Sequence, residues 1–339
     1  MVEFGGWLMP VFYSSILDEH QAVRTAAGIF DISHMGEFMI EGPQAASFLN
    51  SLLTNDINRL RIGDGQYSLM LNEQGGVIDD LILYRADEEA FFLVVNASKI
   101  DEDRAWIEAH LPAEGVLFTD KSAEYAAVAL QGPKSDAILA ELGWPRPERN
   151  GIVPARLPFL AFIARTGYTG EDGFEIFCNA ASAEALWDRL LAAGAKPAGL
   201  GSRDTLRLES CYPLNGNDLS PERTPLEAGL GIFVSLTKEA DFPGKARLLE
   251  QKASGLARRL VALKAIGKSA PPRSHYHLFD GEKNIGEVTS GALSPTLGYG
   301  IALAYVDAAY AKPGQRLDLE VRGSRFPVEV APKPLYKRS

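Results

Sequence analysis

The run Asn72-Glu-Gln-Gly-Gly-Val-Ile-Asp-Asp-Leu-Ile-Leu-Tyr84 constrains the fold more than any other stretch of the chain. Two glycines reverse the chain, and two adjacent carboxylates then open a strongly apolar strand. Side chains alternate along a strand, so Asp79 and Asp80 point to opposite faces. If one looks toward solvent, the other looks toward a core or a pocket. A carboxylate placed there has to be paired, hydrogen-bonded or used.

Around this run the chain alternates strands and helices. Residues 36–42 alternate as a strand, Gly42-Pro43 breaks it, and Ala45, Phe48, Leu49, Leu52 and Leu53 follow at helical spacing. The arrangement recurs at Tyr125–Leu130, Gln131-Gly-Pro133 and Ile138, Leu139 and Leu142, which suggests internal pseudo-symmetry. Between the two copies the pattern predicts a buried strand over 91–95 and a helix over 98–111. Further strand and helix patterns cover 173–178 and 182–193, the helix stopping at Gly194.

The character changes near residue 255. A short charged helix over 245–253 leads to Ser254-Gly255, which reads as a hinge. Short strands at close spacing follow over 260–263, 275–279, 285–288, 301–306, 317–321 and 326–330, with hairpin turns at Asp280-Gly281 and Arg322-Gly323. The expected division is 1–253, an α+β region of two subdomains, and 256–336, a small β-barrel.

At 339 residues the chain exceeds one ordinary core. Its net charge of −10 argues against nucleic-acid binding and leaves room for an anionic small ligand only where a local basic cluster meets it. The histidines and the two cysteines, Cys178 and Cys211, show no metal-ligand spacing, so no metal is expected. No apolar run is long enough to span a bilayer, and the N-terminus lacks signal-peptide features, which together point to the cytoplasm.

Two further runs carry polar chemistry. In Gly167-Tyr-Thr-Gly-Glu-Asp-Gly-Phe-Glu175, three glycines let backbone approach something flat, and Glu175 sits between Phe174 and Ile176 inside a strand. Its reading divides between a hairpin with a structural ion pair and a ligand carboxylate. In Gly199-Leu-Gly-Ser-Arg-Asp-Thr-Leu-Arg-Leu-Glu209, the glycines are too few for a dinucleotide fingerprint. Ser202 is the expected N-cap of a helix carrying Arg203 and Arg207 on one face. Ser33-His34 lacks a third member and reads as packing or capping. The residues alone end at a glycine-walled site of carboxylates and an arginine, suited to a planar, amide-bearing heterocycle.

Taken in order, these segments closely resemble the glycine cleavage T-protein family of aminomethyltransferases. The resemblance runs from Phe4-Gly-Gly-Trp-Leu-Met-Pro10 through Phe30-Asp-Ile-Ser-His-Met-Gly36, Asn72–Asp80, Arg165–Glu175 and Ser202–Glu209 to Gly286-Glu-Val-Thr-Ser-Gly291 and Ser294-Pro-Thr-Leu297. It implies a three-domain cloverleaf: two interleaved N-terminal domains around a central tetrahydrofolate, and a C-terminal β-barrel. It also implies the reaction. The methylene of an aminomethyl group on the dihydrolipoyl arm of an H protein passes to tetrahydrofolate, giving 5,10-methylenetetrahydrofolate and ammonia.

The resemblance carries over to single residues. Asp80 matches the family's catalytic carboxylate near folate N5, where a fixed anion stabilises developing positive charge. Glu175 accepts the pterin N3–H and 2-amino group in parallel. Arg203 pairs with Glu175 or reaches the pterin, and Asn96 meets the remaining polar edge. Tyr67 and Tyr168 pack against the pterin or the aminobenzoyl group, and Arg273 brings charge from the third domain. Asp79 is expected to be structural, satisfied on the other face. One departure stands out: Asn215 occupies a Leu-Asn-Gly run where many relatives have Leu-Tyr-Gly. A folate-binding accessory protein of iron–sulfur assembly shares this fold. Its Lys-Gly-Cys-Tyr-x-Gly-Gln-Glu run is missing here, where Asn215-Gly-Asn-Asp218 stands.

Overall fold

The computed structural model describes residues 1–267 and 270–338. Its N-terminal region holds two sheets, the first inserted in sequence between strands of the second. The first has five antiparallel strands in the spatial order Gly65–Leu71, Val77–Asp87, Ala90–Val95, Gly36–Glu41, Leu117–Asp120. The second has six, ordered Ile152–Leu157, Leu160–Ala164, Gly173–Asn179, Tyr125–Gln131, Gly28–Asp31, Lys196–Pro197, the last pairing in parallel. Gly28–Asp31 joins the second sheet before Gly36–Glu41 opens the first, so the whole first sheet (36–120) is inserted as one stretch of chain between two strands of the second.

Period-two alternation sorts the strand residues into two layers. On the first sheet's outer face, Phe38, Ile40, Leu83, Phe91 and Leu93 bury against Phe48, Leu49 and Leu52 of helix Ala45–Leu52 and Ile107 of helix Ile100–His110. On the second sheet's outer face, Ile29, Val128, Leu130 and Ile176 meet helices Ser135–Glu141 and Ala183–Ala192. The inner faces pack on each other, Tyr84, Phe92 and Val94 against Phe30, Ala127, Ala129 and Phe177. Truncating a buried aromatic such as Phe92 to Ala would cost about 3–5 kcal/mol.

The two strand–Gly-Pro–helix units occupy corresponding places, one in each sheet. Gly42 (φ +118°) and Gly132 (φ +128°) both lie against backbone, where an added Cβ would come within 2.6 Å of Gly115 O and 2.5 Å of Ala26 O. Helix Ala45–Leu52 ends in carbonyls that Lys238 satisfies. Its ammonium donates to Asn50 O (2.7 Å), Asn55 O (2.9 Å) and Leu53 O, and burial pulls its pKa down to about 7.

After helix Lys245–Ser254 and Gly255 (φ +89°), six strands close a barrel in the order Arg258–Ala265, Gly300–Asp307, Lys283–Leu293, His277–Asp280, Arg316–Val321, Ser324–Ala331. Val261 and Leu263 point into the barrel, while Leu260 and Ala262 point out. The outward set, with Ile301, Leu303 and Tyr305, buries against Leu69, Leu71, Val77 and Leu208 of the N-terminal region. The two-residue hairpin at Arg322-Gly323 has positive φ at both positions (52° and 81°), as its tight turn requires. Among the described residues, no helix is long and apolar enough to cross a membrane.

One local expectation is corrected. Helix Leu200–Glu209 begins at Gly199, not Ser202, which lies inside the first turn with its hydroxyl on Gly199 O (2.9 Å). Glu19, on a distant helix, accepts the Gly199 N–H at 2.9 Å and so supplies a carboxylate at this helix N-terminus.

Candidate functional site

The Asn72–Gly76 turn is clamped onto the segment 220–223. Asn72 Oδ1 accepts from the N–H groups of Gln74 (3.0 Å) and Gly76 (2.9 Å), and its amide donates to Pro221 O (3.0 Å). A Cβ on Gly76 would fall 1.7 Å from Pro221 O, so no larger residue fits. The strand that follows therefore starts from a fixed point and delivers Asp79 and Asp80 in register with Met70 and Leu69.

Asp79 is fully buried and Asp80 partly so. Tyr67 Oη donates to Asp80 Oδ2 at 2.9 Å, and the Asn96 and Asn215 amides donate to Oδ1 at 3.1 and 3.3 Å. These neutral donors favour the anion. Burial and the charge of Asp79 oppose them and push the Asp80 pKa up to about 7. Asp79 accepts from both nitrogens of Asn96, at 3.0 and 2.8 Å.

Glu175 is buried in the second sheet. Thr166 Oγ1 donates to its Oε2 at 2.5 Å, and Tyr84 Oη reaches Thr166 at 2.7 Å. The expected ion pair with Arg203 is not what satisfies it. Arg203 instead lies over the Tyr168 ring, 4.8 Å from its centroid, and acts on Glu175 only through its field. Burial raises the Glu175 pKa, with Thr166 and Arg203 pulling against it.

Beside these groups opens a cavity of about 320 Å³, walled by Phe4, Tyr168, Arg203, Arg207, Leu214 and Arg273, among others. Arg207 is neutralised by Asp204 and Asp218, whereas Arg203 rests on an aromatic face and Arg273 is exposed. The chain is acidic overall, yet this wall is basic, which suits an anionic ligand. The structure thus brings Tyr168, Arg203 and Arg273 together in one wall. Asp80, Tyr67 and Asn96 form a second cluster beside it. Segment 213–217 joins the two: Tyr168 Oη donates to Pro213 O, Leu214 and Asn217 line the cavity, and Asn215 between them reaches Asp80. Among the described residues, no group of three or more His, Cys, Asp or Glu is arranged to hold a metal ion.

This geometry can be set beside known proteins. Residues 1–238 match the GCVT N-terminal domain, and residues 258–337 match the glycine cleavage T-protein C-terminal barrel domain. The chain belongs to the glycine cleavage T-protein family. A curated aminomethyltransferase from Bacillus cereus (strain AH187) is 46% identical over 349 residues, spanning 100% of this chain and 94% of that relative. One from Bacillus anthracis (strain CDC 684 / NRRL 3495) has the same identity and coverage. A crystal structure of the glycine cleavage system aminomethyltransferase T from Bartonella henselae superposes with a TM-score of 0.94 at 37% identity, covering 99% of this chain and 94% of that one.

Within this T-protein frame, some site residues take positions that the sequence does not indicate. The Tyr67 hydroxyl is taken up by Asp80, and its ring meets Phe233 edge-on at 4.6 Å. The Asn96 amide nitrogen is held by both aspartates, so its carbonyl oxygen is the edge it can offer a ligand. His34 is buried edge-on to Phe4 at 5.5 Å, its pKa lowered to about 3 by burial and the Arg203 charge. Thr166 and Asn215 are added to the site. Thr166 is foreshadowed by the Arg165-Thr-Gly run, and Asn215 by its departure from the relatives' pattern.

Proposed function

We propose that this chain transfers the methylene carbon of an aminomethyl group, carried on the dihydrolipoyl arm of an H protein, to tetrahydrofolate with release of ammonia. Its class, aminomethyltransferase of the glycine cleavage system, follows from the family. The reading of the site rests on one observation: a half-buried carboxylate, Asp80, held by three neutral donors beside a cavity with arginines in its wall.

In this reading Asp80 stands near folate N5. Cleavage of the sulfur–methylene bond or loss of ammonia leaves positive charge on the transferred carbon and on the nitrogen it joins. A fixed anion in a water-poor site stabilises that charge without reorganising. Ammonia carries away the amino nitrogen, the dihydrolipoyl sulfur recovers its proton, and the methylene bridges N5 and N10. Glu175 offers its carboxylate to the pterin N3–H and 2-amino donors. Arg203 and Arg273 meet the anionic glutamate end or orient the ring, and Tyr168 presents a flat face. The free thiols of Cys178 and Cys211 support a reducing compartment, which we take to be the cytoplasm.

The test uses lipoylated H protein loaded with the aminomethyl group. Ammonia release should accelerate strongly when tetrahydrofolate is added. Release at the same slow rate with and without folate would reject the transfer.

A further inference from the structure

The first turn of helix Ile100–His110 reads Asp101-Glu-Asp103, a pattern ordinarily solvated at a helix N-terminus. Asp103 does not behave that way. It is fully buried, and neither of its oxygens receives an N–H or O–H from any other type of group among the described residues. Its partner is the carboxyl of Asp79. Two carboxyl groups in hydrogen-bond contact, both out of water, must share a proton. The donors decide where it resides. Asp79 accepts two N–H bonds from Asn96, which stabilise its anion, while Asp103 has none. Burial and the Asp79 charge accordingly drive the Asp103 pKa far above the carboxylate range, with Glu102 adding to the push and Lys99 opposing it.

The two hydrogens of the Asn96 amide are then both directed. One goes to Asp79 Oδ1 at 2.8 Å, the other to Asp80, at 2.9 Å from its carbonyl oxygen and 3.1 Å from Oδ1. Every acceptor around that nitrogen is an oxygen without a proton. A protonated Asp79 would offer an O–H there and let the amide turn over, presenting a carbonyl oxygen to Asp80 instead of a donor.

We propose that Asp103 is a positioning residue for aminomethyl transfer: its buried carboxylic acid donates to Asp79, keeps Asp79 an acceptor, and thereby fixes the Asn96 amide as a donor to Asp80. This rests on the reading of Asp80 as the anion at the reacting centre. Asp80 is faced by Asp79 on its own strand, by Tyr67 on the neighbouring strand, and by Asn96, Asn215 and Tyr168 from the surrounding loops. Asp103 thus acts on it only through the Asp79 charge and the Asn96 amide.

Two variants and a spectrum test the idea. Asp103→Asn keeps a donor toward Asp79 but carries no acid proton; Asp103→Leu keeps neither. An infrared difference spectrum at pH 8, wild type minus Asp103→Asn, should show one protonated-carboxyl C=O band. Asp103→Asn should keep kcat within about threefold of wild type. Asp103→Leu should lose at least about tenfold in kcat with little change in the folate KM, and the acid limb of its kcat/KM profile should move to lower pH. That movement follows because Asp79 then takes the proton and no longer repels charge on Asp80, which outweighs the loss of the Asn96 donor. A purely structural role would lower Tm without moving the limb. The proposal is overturned if the difference spectrum has no protonated-carboxyl band, or if Asp103→Leu keeps wild-type kcat and pH profile. Should Asp103→Leu fail to fold, the spectrum alone decides. Normal turnover in Asp80→Asn with the band present would instead reject the reading of Asp80 and leave the shared proton standing.

Discussion

Asp79 and Asp80 lie on opposite faces of one strand, yet a single atom, Asn96 Nδ2, hydrogen-bonds both carboxylates, at 2.8 and 3.1 Å. Asn96 stabilises both anions, but burial, and after it the charge of Asp79, still raises the Asp80 pKa to about 7.

Replacing Asp80 by Asn should therefore separate function from stability. Loss of the fixed anion should lower kcat by about 10²–10³-fold, with folate affinity held within a few-fold. For an acid whose folded pKa is raised, the folded state holds the extra proton. Stability accordingly falls as pH rises from about 4 to about 7, and the deficit is complete above 7. Asp80→Asn removes this penalty, on the order of 4 kcal/mol at most. Its Tm should exceed wild type at pH 8, and the gain should shrink at pH 5. Wild-type turnover in this variant would sink the catalytic assignment.

The same titration predicts a pH profile. With Asp80 needed as the anion, kcat/KM should fall about tenfold per pH unit below an acid limb centred near 7. A flat profile between pH 5.5 and 8 would show that the group titrating near 7 is not the one the reaction needs.

Asn215 donates to Asp80 Oδ1 at 3.3 Å, the same oxygen that Asn96 reaches. Asn215→Ala deletes that donor and should shift the acid limb to higher pH, lowering activity at pH 7 by a few-fold and sparing it at pH 8.5. An acid limb that stays in place would mean that the contact does not bear on Asp80.

Much of this was legible in the chain because strand and helix periodicity survives wherever one face is buried. The Gly-Pro units, the change of character near residue 255 and the barrel strands are local patterns. What was not legible comes from distant segments. Ser202 has the right chemistry for a cap, but the helix starts at Gly199, where a Cβ would fall 2.5 Å from Val11 O and the Glu19 carboxylate waits. Asp103 sits in a charged helix turn and looks solvated, and only the fold shows Asp79 beside it. Arg203 and Glu175 carry complementary charges in neighbouring motifs, which suggests a pair, but the Thr166 hydroxyl reaches Glu175 while Arg203 settles on Tyr168.

In the proposed reading Glu175 bears on binding more than on chemistry. If Glu175 accepts the pterin donors as proposed, removing its carboxylate leaves them without an acceptor, a loss of about 1–3 kcal/mol. Glu175→Ala should weaken tetrahydrofolate binding by about ten- to a hundredfold, read by fluorescence or calorimetric titration, with kcat at saturating folate reduced far less. An unchanged dissociation constant would place the pterin elsewhere.

Asp218 ties the barrel to the segment that carries Asn215. Its Oδ2 accepts from Arg207 (2.8 Å), Ser290 (2.8 Å) and the Leu214 N–H (2.9 Å), and its carbonyl accepts from Tyr305 Oη (2.9 Å). Both Asp218 and Arg207 are buried, so Asp218→Ala strips the guanidinium of its buried partner, leaving it only the half-exposed Asp204, and should destabilise the fold by about 3–5 kcal/mol. The same change frees Leu214, one residue before Asn215. Loss of the Leu214 tether should therefore also move the acid limb upward, as Asn215→Ala does. Arg207→Met together with Asp218→Leu removes the stranded charge while leaving Leu214 free. That pair should recover much of the lost Tm without restoring the wild-type pH profile. Recovery of both together would show that the Leu214 tether has no part in setting the position of Asn215.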